Sequence, residues 1–281
     1  MIDLIASDLD GTLIGSDFRF RPRTLEALRA AALAGVRIVF VTGRPLRWLG
    51  PVLEQLGQQW PGPRSYAICS NGAVTFDIAE RKVLASRTMP ASQVLGIHQQ
   101  LQQAFPQGLF IAETLDQVFV QGTYRPQVEE DLSRLHEGPL LETLPSSAQL
   151  VKYLLYLEGA TPADLLSQVQ DLLGQQVSIT RSAPYQPLVE IAQKGVNKGQ
   201  VLADWAAQWG VDAQRVVAFG DMPNDAEMLR WAGWGYAMGS GLPALQQEVG
   251  RVCPGFDQDG AAQVIEALLV GQVPPEVITG W

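Results

Sequence analysis

Asp8-Leu9-Asp10-Gly11-Thr12 closes the mostly apolar run from Ile2 to Leu9. A run of this kind predicts a buried strand, and Gly11 allows the chain to turn sharply where that strand ends. The two carboxylates then project from the carboxyl end of the strand, where one could attack a substrate while the other handles protons. An acidic turn without chemistry is the alternative, because Asp-Gly is also a common turn dipeptide.

A second acidic segment lies near the other end of the chain. Arg215 to Phe219 reads as a buried strand, and Gly220-Asp221-Met222-Pro223-Asn224-Asp225 follows it directly. In an open parallel sheet, reactive groups collect outside the carboxyl ends of the strands, so both acidic segments are expected in one crevice. Two such segments in one chain are much less expected by chance than either alone, and together they indicate phosphoryl-transfer chemistry.

Strand and helix patterns alternate at both ends of the chain. Pro22 to Ala34 predicts a helix that stops at Gly35, Val36 to Val41 predicts the next strand, and the same alternation resumes at Lys198. The middle of the chain has an α+β texture instead. We therefore predict an α/β fold, with a doubly wound, Rossmann-like parallel sheet and an inserted α+β cap domain. The predicted core comprises residues 1–84 and 188–281, and the predicted cap comprises residues 85–187.

The composition restricts the possible partners. A chain of 281 residues with 47% hydrophobic residues suffices for two domains. Its formal charge of −9 argues against a broad nucleic-acid surface, which would need clustered Lys and Arg. The longest apolar stretch, Ala30 to Val41, is interrupted by Gly35 and Arg37 and predicts no membrane span. The N-terminus shows no basic leader, so a cytoplasmic location is expected. Nothing in the sequence indicates the oligomeric state.

Four motifs occur along the chain: Asp8 to Thr12, Thr42-Gly43-Arg44, Lys198 within Gly195-Val196-Asn197-Lys198-Gly199, and Gly220 to Asp225. In this order they resemble the motifs of the haloacid dehalogenase superfamily, and specifically those of its Cof-type, subfamily IIB, sugar-phosphatase-like hydrolases. Ser70-Asn71-Gly72-Ala73 is a further Cof-like element. The resemblance covers both ends of the chain, whereas the middle matches only in length and in its rough pattern of strands and helices.

The resemblance implies catalytic roles for four residues. Asp8 is the expected nucleophile that forms an aspartyl-phosphate, and Asp10 is the expected general acid and base. Thr42 and Lys198 are expected to contact the phosphoryl group through a hydroxyl and a fixed positive charge. Lys194 competes with Lys198 for this role, but Lys198 follows the Gly-x-Asn pattern at a helix start and is preferred.

Magnesium is the expected cofactor, because it prefers oxygen ligands and bridges a carboxylate to a phosphate oxygen. The resemblance implies that the side chains of Asp8 and Asp221 are direct ligands, together with the backbone carbonyl of Asp10. Asp225 also belongs to the predicted metal site, where it supports the hydrated ion or orients Lys198.

Six residues are candidates for binding the substrate, a small-molecule phosphate ester. Arg44 is alternatively a partner for a nearby carboxylate, and Asn71 is alternatively part of a simple Asn-Gly hairpin turn. Helix capping is the alternative for Asn224. Arg181 and Tyr185, in the predicted cap, are candidates because a polar and an aromatic side chain there could set specificity. The six are Gly43, Arg44, Asn71, Asn224, Arg181 and Tyr185.

The resemblance implies a Mg²⁺-dependent phosphomonoester hydrolase for small phosphorylated metabolites, with sugar phosphates as the first expectation. Mannosyl-3-phosphoglycerate or sucrose-phosphate phosphatase specificity is an alternative, because such relatives share the motif set. A phosphomutase is a further alternative, although the large insertion here lies between the second and third motifs rather than after the first. A non-catalytic phosphometabolite sensor is the remaining alternative, since a fold does not guarantee activity.

Overall fold

The computed structural model describes residues 2–57, 60–61, 65–123, 132–183 and 185–276. The chain divides into two compact units, Met1–Ala85 with Asn197–Trp281, and Ser86–Val196. The strands are β1 (Leu4–Ser7), β2 (Arg37–Val41), β3 (Ser65–Cys69), β4 (Val74–Asp77), β5 (Lys82–Ser86), β6 (Met89–Pro90), β7 (Leu109–Glu113), β8 (Val118–Gln121), β9 (Leu135–Glu137), β10 (Gln149–Leu150), β11 (Lys152–Tyr156), β12 (Val177–Thr180), β13 (Leu188–Gln193), β14 (Val216–Gly220), β15 (Trp234–Met238) and β16 (Val252–Cys253). The helices are α1 (Pro22–Leu33), α2 (Gly50–Leu56), α3 (Ala91–Ala104), α4 (Leu140–Thr143), α5 (Pro162–Leu173), α6 (Lys198–Gln208), α7 (Ala226–Trp231), α8 (Pro243–Val249) and α9 (Gly260–Leu269).

The first unit is built on one sheet with the strand order β16-β15-β14-β1-β2-β3-β4-β5. The strands from β16 to β3 are parallel, and β4 pairs antiparallel with β3. In the central strand, Ile5 lies beside Ile38 on one side and Val217 on the other, and all four residues of β1 are buried. A strand that is buried on both faces of a parallel sheet is expected to be apolar throughout, as this one nearly is.

The predicted helix boundaries in this unit follow from local chemistry. Pro22 occupies the first turn of α1, where its missing N–H costs no hydrogen bond, and Gly35, which follows the C-cap residue Ala34, adopts a φ of 85°. Asn197 caps α6 because its side chain accepts the backbone N–H of Gln200 at 2.7 Å. The cap makes Lys198 the first residue of the helix.

The second unit contains an antiparallel sheet in the order β12-β13-β11-β7-β8, to which β9 adds in parallel. One face of this sheet packs against α3 and α5, where residues such as Val94, Leu101 and Val169 join Tyr153 in a buried cluster. This α+β layer matches the predicted texture of the middle of the chain.

The carboxyl-terminal end of the second unit differs from the prediction. The insertion was predicted to end at residue 187, but β13 lies between β12 and β11 in the second sheet, and the unit extends to Val196. Ile191 pairs with Tyr153 on one side and with Ile179 on the other. A strand pattern in the sequence reveals an apolar period but not which sheet the strand will join, so the boundary was placed too early.

No helix within the described ranges combines the length and the apolar character that crossing a membrane would require.

Candidate active site

The crevice outside the carboxyl ends of β1 and β14 collects the two acidic segments. The chain runs outward from β1 through β2 and β3, and later returns to place β14 on the other side of β1. This reversal of strand order opens a crevice beside β1, the position at which open α/β sheets bind ligands. Asp8 follows β1 and its backbone N–H donates to the carbonyl of Phe219 at 3.0 Å, while Asp221 follows β14.

Gly11 joins the first acidic segment to the second. It adopts a φ of 74°, which disfavours residues with a side chain, and a Cβ atom at this position would overlap Oδ2 of Asp221. The glycine therefore allows both the turn after β1 and the close approach of the Asp221 carboxylate.

Lys198 connects two of the carboxylates. Its Nζ donates to Oδ1 of Asp8 at 2.6 Å and to Oδ1 of Asp225 at 2.7 Å, and the lysine is 1% exposed. Burial by itself lowers the pKa of Lys198, but the charges of Asp225 and Asp8 outweigh it and raise the pKa overall. Lys198 is thus a fixed cation, whereas Lys194 is exposed and donates to the carbonyl of Gly174 in the second unit.

Three carboxylates lie close enough to share one ion. One oxygen each from Asp8, Asp221 and Asp225 lies within 4.8 Å of the others. Burial raises the pKa of Asp8 well above its ordinary value; Lys198 opposes this effect, and the neighbouring carboxylates add to it. Burial and the charge of Asp225 raise the pKa of Asp221 to about 7. Full ionisation of three carboxyl groups around one ammonium would leave excess negative charge here, and the raised pKa values of Asp8 and Asp221 reflect that cost.

Oδ1 of Asp221 is buried and has no hydrogen-bond partner among the described residues. A buried polar atom without a partner is costly in a folded protein, so each such atom calls for an explanation. A hard divalent cation would supply the missing partner and offset the excess charge, because magnesium takes carboxylate oxygens. The donor set of this cluster therefore fits the predicted ion.

Asp225 is fully committed to other partners. Its Oδ1 accepts from Lys198, and its Oδ2 accepts the backbone N–H groups of Asp221 at 3.1 Å and Met222 at 3.0 Å. Of the two roles predicted for Asp225, this arrangement favours the orientation of Lys198. Because Oδ2 also fixes the start of the loop after β14, Asp225 positions Asp221 as well.

A hydrogen-bonded loop network lies at the ends of β2 and β3. The backbone N–H of Arg44 donates to Oγ1 of Thr42, and the backbone N–H of Asn71 donates to the carbonyl of Thr42, both at 3.0 Å. The side chain of Asn224 in turn donates to Oδ1 of Asn71 at 3.0 Å. Both Asn71 and Asn224 are buried, and this bond joins the β3–β4 turn to the loop after β14.

Arg44 pairs with Asp10. Its Nε donates to Oδ2 of Asp10 at 2.6 Å and its second terminal nitrogen donates to Oδ1 at 2.5 Å, which makes the pair bidentate. The alternative interpretation of Arg44, as the partner of a nearby carboxylate, is thus the one that the structure confirms. Its role in binding substrate stays a prediction.

The structure brings most of the predicted site residues together within the first unit. Gly43 lies between Thr42 and Arg44 in the loop after β2. Arg181 and Tyr185 belong to the second unit, where Arg181 directly follows β12 and Tyr185 is 87% exposed. Their roles in substrate specificity stay predictions.

Two buried hydroxyls were missed by the sequence analysis. Oγ1 of Thr12 and Oγ of Ser70 have no hydrogen-bond partner among the described residues. Ser70 and Asn71 also adopt consecutive positive φ angles of 50° and 55°. Strained backbone and unpartnered polar atoms are typical of functional sites. The signal was present in the motifs themselves, since Thr12 closes the first and Ser70 opens the Cof-like element.

Comparison with known proteins agrees with this geometry. The sequence matches the family described as haloacid dehalogenase-like hydrolase over residues 5–265. Pyridoxal phosphate phosphatase YbhA of Escherichia coli (strain K12) is 28% identical over 281 residues, which covers 95% of this chain and 98% of that protein. The 5-amino-6-(5-phospho-D-ribitylamino)uracil phosphatase YitU of Bacillus subtilis (strain 168) is 26% identical over 266 residues, covering 94% and 96% of the two chains.

A solved structure gives the corresponding result for the fold. The HAD subclass IIB sugar phosphatase BT4131 superposes with a TM-score of 0.77 at 22% identity, covering 95% of this chain and 99% of that chain. The predicted doubly wound core and inserted α+β region are therefore confirmed. Because the family match spans nearly the whole sequence, this chain belongs to the haloacid dehalogenase-like hydrolases, as the four motifs predicted.

Proposed function

We propose that this enzyme is a Mg²⁺-dependent phosphomonoesterase that hydrolyses small phosphorylated metabolites through an aspartyl-phosphate on Asp8. The single observation that carries the proposal is the cluster at the end of β1. There the buried Asp8 carboxylate accepts from the ammonium of Lys198 and has oxygens of Asp221 and Asp225 within 4.8 Å. A nucleophile, a fixed cation and a donor set for a divalent ion thus occupy one crevice.

Asp8 and Asp221 are the side chains that would hold the ion, joined by the predicted backbone carbonyl of Asp10. Asp225, whose two oxygens accept from Lys198 and from backbone amides, would act beside them and not as the main ligand. When bound, Mg²⁺ would offset the charge of the carboxylates and of the phosphoryl oxygens. The unpartnered Oδ1 of Asp221 supports this assignment.

In the first step, an oxygen of Asp8 forms a bond to phosphorus while the bond between phosphorus and the ester oxygen breaks. Asp10 gives a proton to the departing alkoxide. Lys198 remains charged throughout and offsets the charge on the transferring group, and the hydroxyl of Thr42 donates to a phosphoryl oxygen.

In the second step, a water molecule attacks the phosphorus of the aspartyl-phosphate. Asp10 takes a proton from that water, the bond between phosphorus and the Asp8 oxygen breaks, and inorganic phosphate leaves. The enzyme returns to its starting state, with Asp8 as a carboxylate and Asp10 protonated. No redox partner or second substrate is needed.

Sugar phosphates are the first substrate class to test, and phosphorylated cofactors are the second. The motifs resemble those of sugar phosphatases, and two relatives are named for pyridoxal phosphate and for a phosphoribitylamino-uracil. We propose that the second unit acts as the cap that selects the leaving group, with Arg181 and Tyr185 as the first side chains to change.

The test is phosphate release by the purified full-length chain from a panel of sugar phosphates, nucleotides and cofactor phosphates. We expect release with Mg²⁺ and none after chelation. Asp8→Asn should lower the rate by at least about 10³-fold, because it removes the nucleophile. Asp171→Asn is the control, since Asp171 is an exposed carboxylate on α5. Full activity in Asp8→Asn would contradict the covalent mechanism, and no release from any ester would contradict a phosphatase.

A further inference from the structure

We propose that Phe18 is a positioning residue, which holds Arg44 and through it fixes the orientation of the Asp10 carboxylate. The inference rests on the proposed function of Asp10 as acid and base, and it assigns a role to the turn that follows the first motif. Three layers of contact carry it: the Arg44–Asp10 pair, the Phe18 ring beside Arg44, and the anchoring of the Phe18 backbone by Gln55.

The first layer joins a buried group to a half-exposed one. The side chain of Arg44 is 9% exposed, whereas that of Asp10 is 49% exposed. Both oxygens of Asp10 accept from Arg44, so the plane of the carboxylate is set by a guanidinium with little freedom to move. A solvent-facing carboxylate without such a partner would sample several rotamers.

The second layer restricts Arg44. The Cζ of Arg44 lies 4.2 Å from the centroid of the Phe18 ring, within the range of a cation–π contact. Arg44 therefore has an aromatic ring and a carboxylate as its partners. An arginine held in this way presents its nitrogens in one geometry.

The third layer is the backbone turn that places the Phe18 ring beside Arg44. Phe18 adopts a φ of 60°, a conformation that is uncommon and costly for a bulky residue. Its backbone N–H donates to the carbonyl of Gly15 at 3.0 Å, so the residue lies within a tight turn. Backbone strain of this kind persists only where the surroundings enforce it and is often found near functional sites.

Gln55 on α2 enforces the strained turn. Its Nε2 donates to the carbonyl of Phe18 at 2.8 Å, and its Oε1 accepts the backbone N–H of Phe20 at 3.0 Å. One side chain thereby satisfies a donor and an acceptor on either side of residue 19. The turn is fixed from outside the motif, which is the arrangement that precise placement of the ring requires.

The first experiment measures how firmly Phe18 and Asp10 hold the Arg44 guanidinium, and it needs no measurement of enzyme activity. The Nε–H of Arg44, observed by ¹H–¹⁵N NMR of the full-length protein, should exchange slowly with solvent in the wild type. Phe18→Ala and Asp10→Asn should both accelerate this exchange by about tenfold or more, whereas Ser16→Ala in the same exposed turn should not. Unchanged exchange in a folded Phe18→Ala protein would overturn the inference.

The second experiment tests whether Phe18 acts on catalysis through Asp10, by a double-mutant cycle with an aryl phosphate as substrate. The aryl leaving group departs without a proton, so Asp10→Asn still forms the aspartyl-phosphate, and its slow steady-state release of inorganic phosphate measures hydrolysis without the base. Phe18→Ala should lower kcat by about tenfold with KM changed less than twofold, and should have no further effect in Asp10→Asn. Equal losses in both backgrounds would mean a merely structural role and would overturn the inference.

Two further variants distinguish the effect of the aromatic face of Phe18 from the effect of its apolar volume. Phe18→Tyr keeps the aromatic face and should retain wild-type kcat, whereas Phe18→Leu keeps apolar volume alone and should resemble Phe18→Ala. A Phe18→Leu protein with wild-type kcat would contradict the cation–π contact as the cause. A wild type that releases no phosphate yet shows a protected Arg44 Nε–H would overturn the proposed function and leave the arrangement standing.

Discussion

The acidic cluster of the first unit and the His98 network of the second unit bury polar side chains in different ways. In the first unit, the carboxylates of Asp8, Asp221 and Asp225 share one ammonium, and Oδ1 of Asp221 has no hydrogen-bond partner within the described residues. In the second unit, burial lowers the pKa of His98 and so favours its neutral ring, and both ring nitrogens have partners, Tyr153 at 2.7 Å and Gln121 at 3.1 Å.

The network in the second unit is complete enough to assign its protons. Oε1 of Gln121 also accepts the backbone N–H of Leu140 at 2.9 Å, so this oxygen is an acceptor toward His98. Nε2 of His98 then carries the hydrogen, and Nδ1 accepts the hydroxyl of Tyr153. The His98 network is satisfied by protein groups, whereas the acidic cluster has an oxygen without a hydrogen-bond partner in the described part of the chain and fits a cation.

The largest expected effect is the removal of the shared ammonium from the first unit. Lys198→Met would leave Asp8 and Asp225 buried without their cation, and breaking a buried pair in this way costs about 3–5 kcal/mol of unfolding free energy. Denaturant unfolding of the metal-free protein measures it. Lys194→Met is the matched control, because that lysine is exposed and lies only four residues earlier. A loss below about 1 kcal/mol for Lys198→Met would mean that the cluster is not the charged centre described above.

An intermediate effect is expected when a methyl group is added at Gly11, where the two acidic segments approach each other. Gly11→Ala combines an unfavourable positive φ, which costs about 1–2 kcal/mol, with an overlap of Cβ and the Asp221 carboxylate. Displacing that carboxylate should lower phosphatase activity by about 10²-fold. The measurement is kcat/KM beside the unfolding free energy.

Gly35→Ala is the control for that change. Gly35 has a φ of 85°, but no heavy atom would lie within 4 Å of an added Cβ. Its stability should therefore fall by the backbone cost alone, and its activity should stay at the wild-type level. Similar activities in Gly11→Ala and Gly35→Ala would contradict the close approach of Asp221 as the reason for the glycine.

The smallest expected effect is the contribution of His98, in the second unit, to the pH dependence of the unfolding free energy. Burial lowers the pKa of His98 below its ordinary value of 6.5, so the folded protein favours the neutral ring. Because the pKa of His98 is lower in the folded than in the unfolded state, its contribution to the unfolding free energy is complete above the unfolded pKa. That contribution is lost as the pH falls from the unfolded pKa through the folded pKa. Unfolding free energies at pH 8 and pH 5.5 should differ more in the wild type than in His98→Gln.

His136→Gln is the control for the titration, because His136 is exposed on β9. It should keep the pH dependence of the wild type, since His136 lies outside the hydrogen-bonded network of His98, Tyr153 and Gln121. An equal pH dependence in all three proteins would show that the His98 network does not distinguish the charged ring from the neutral one.

Much of the fold was predictable because local chemistry decided it. The apolar runs of β1 and β14, proline in the first turn of α1, and the Asn197 cap of α6 are readable from neighbouring residues alone. The error fell on β13, whose residues have the pattern of a strand but whose sheet is chosen by pairing with β11 and β12, which lie distant in the sequence.

The candidate site divides in the same way. The residue types in the four motifs predicted the nucleophile, the ammonium and the carboxylates, because such groups have few other reasons to follow buried strands. Side-chain directions that no spacing encodes decide the Arg44–Asp10 pair and the place of the Phe18 ring beside it. They also decide that the hydroxyls of Thr12 and Ser70 lack a hydrogen-bond partner within the described ranges.

The sequence by itself therefore determined the strand and helix alternation, the family and the chemical groups available for catalysis. The tertiary structure decided which of those groups share partners: that Lys198 joins Asp8 to Asp225, that Gly11 makes room for Asp221, and that His98 is buried. The physical reason is the range of each interaction. Propensity, capping and turn chemistry act over a few residues, whereas burial, ion pairing and steric contact join residues that only the folded chain brings together.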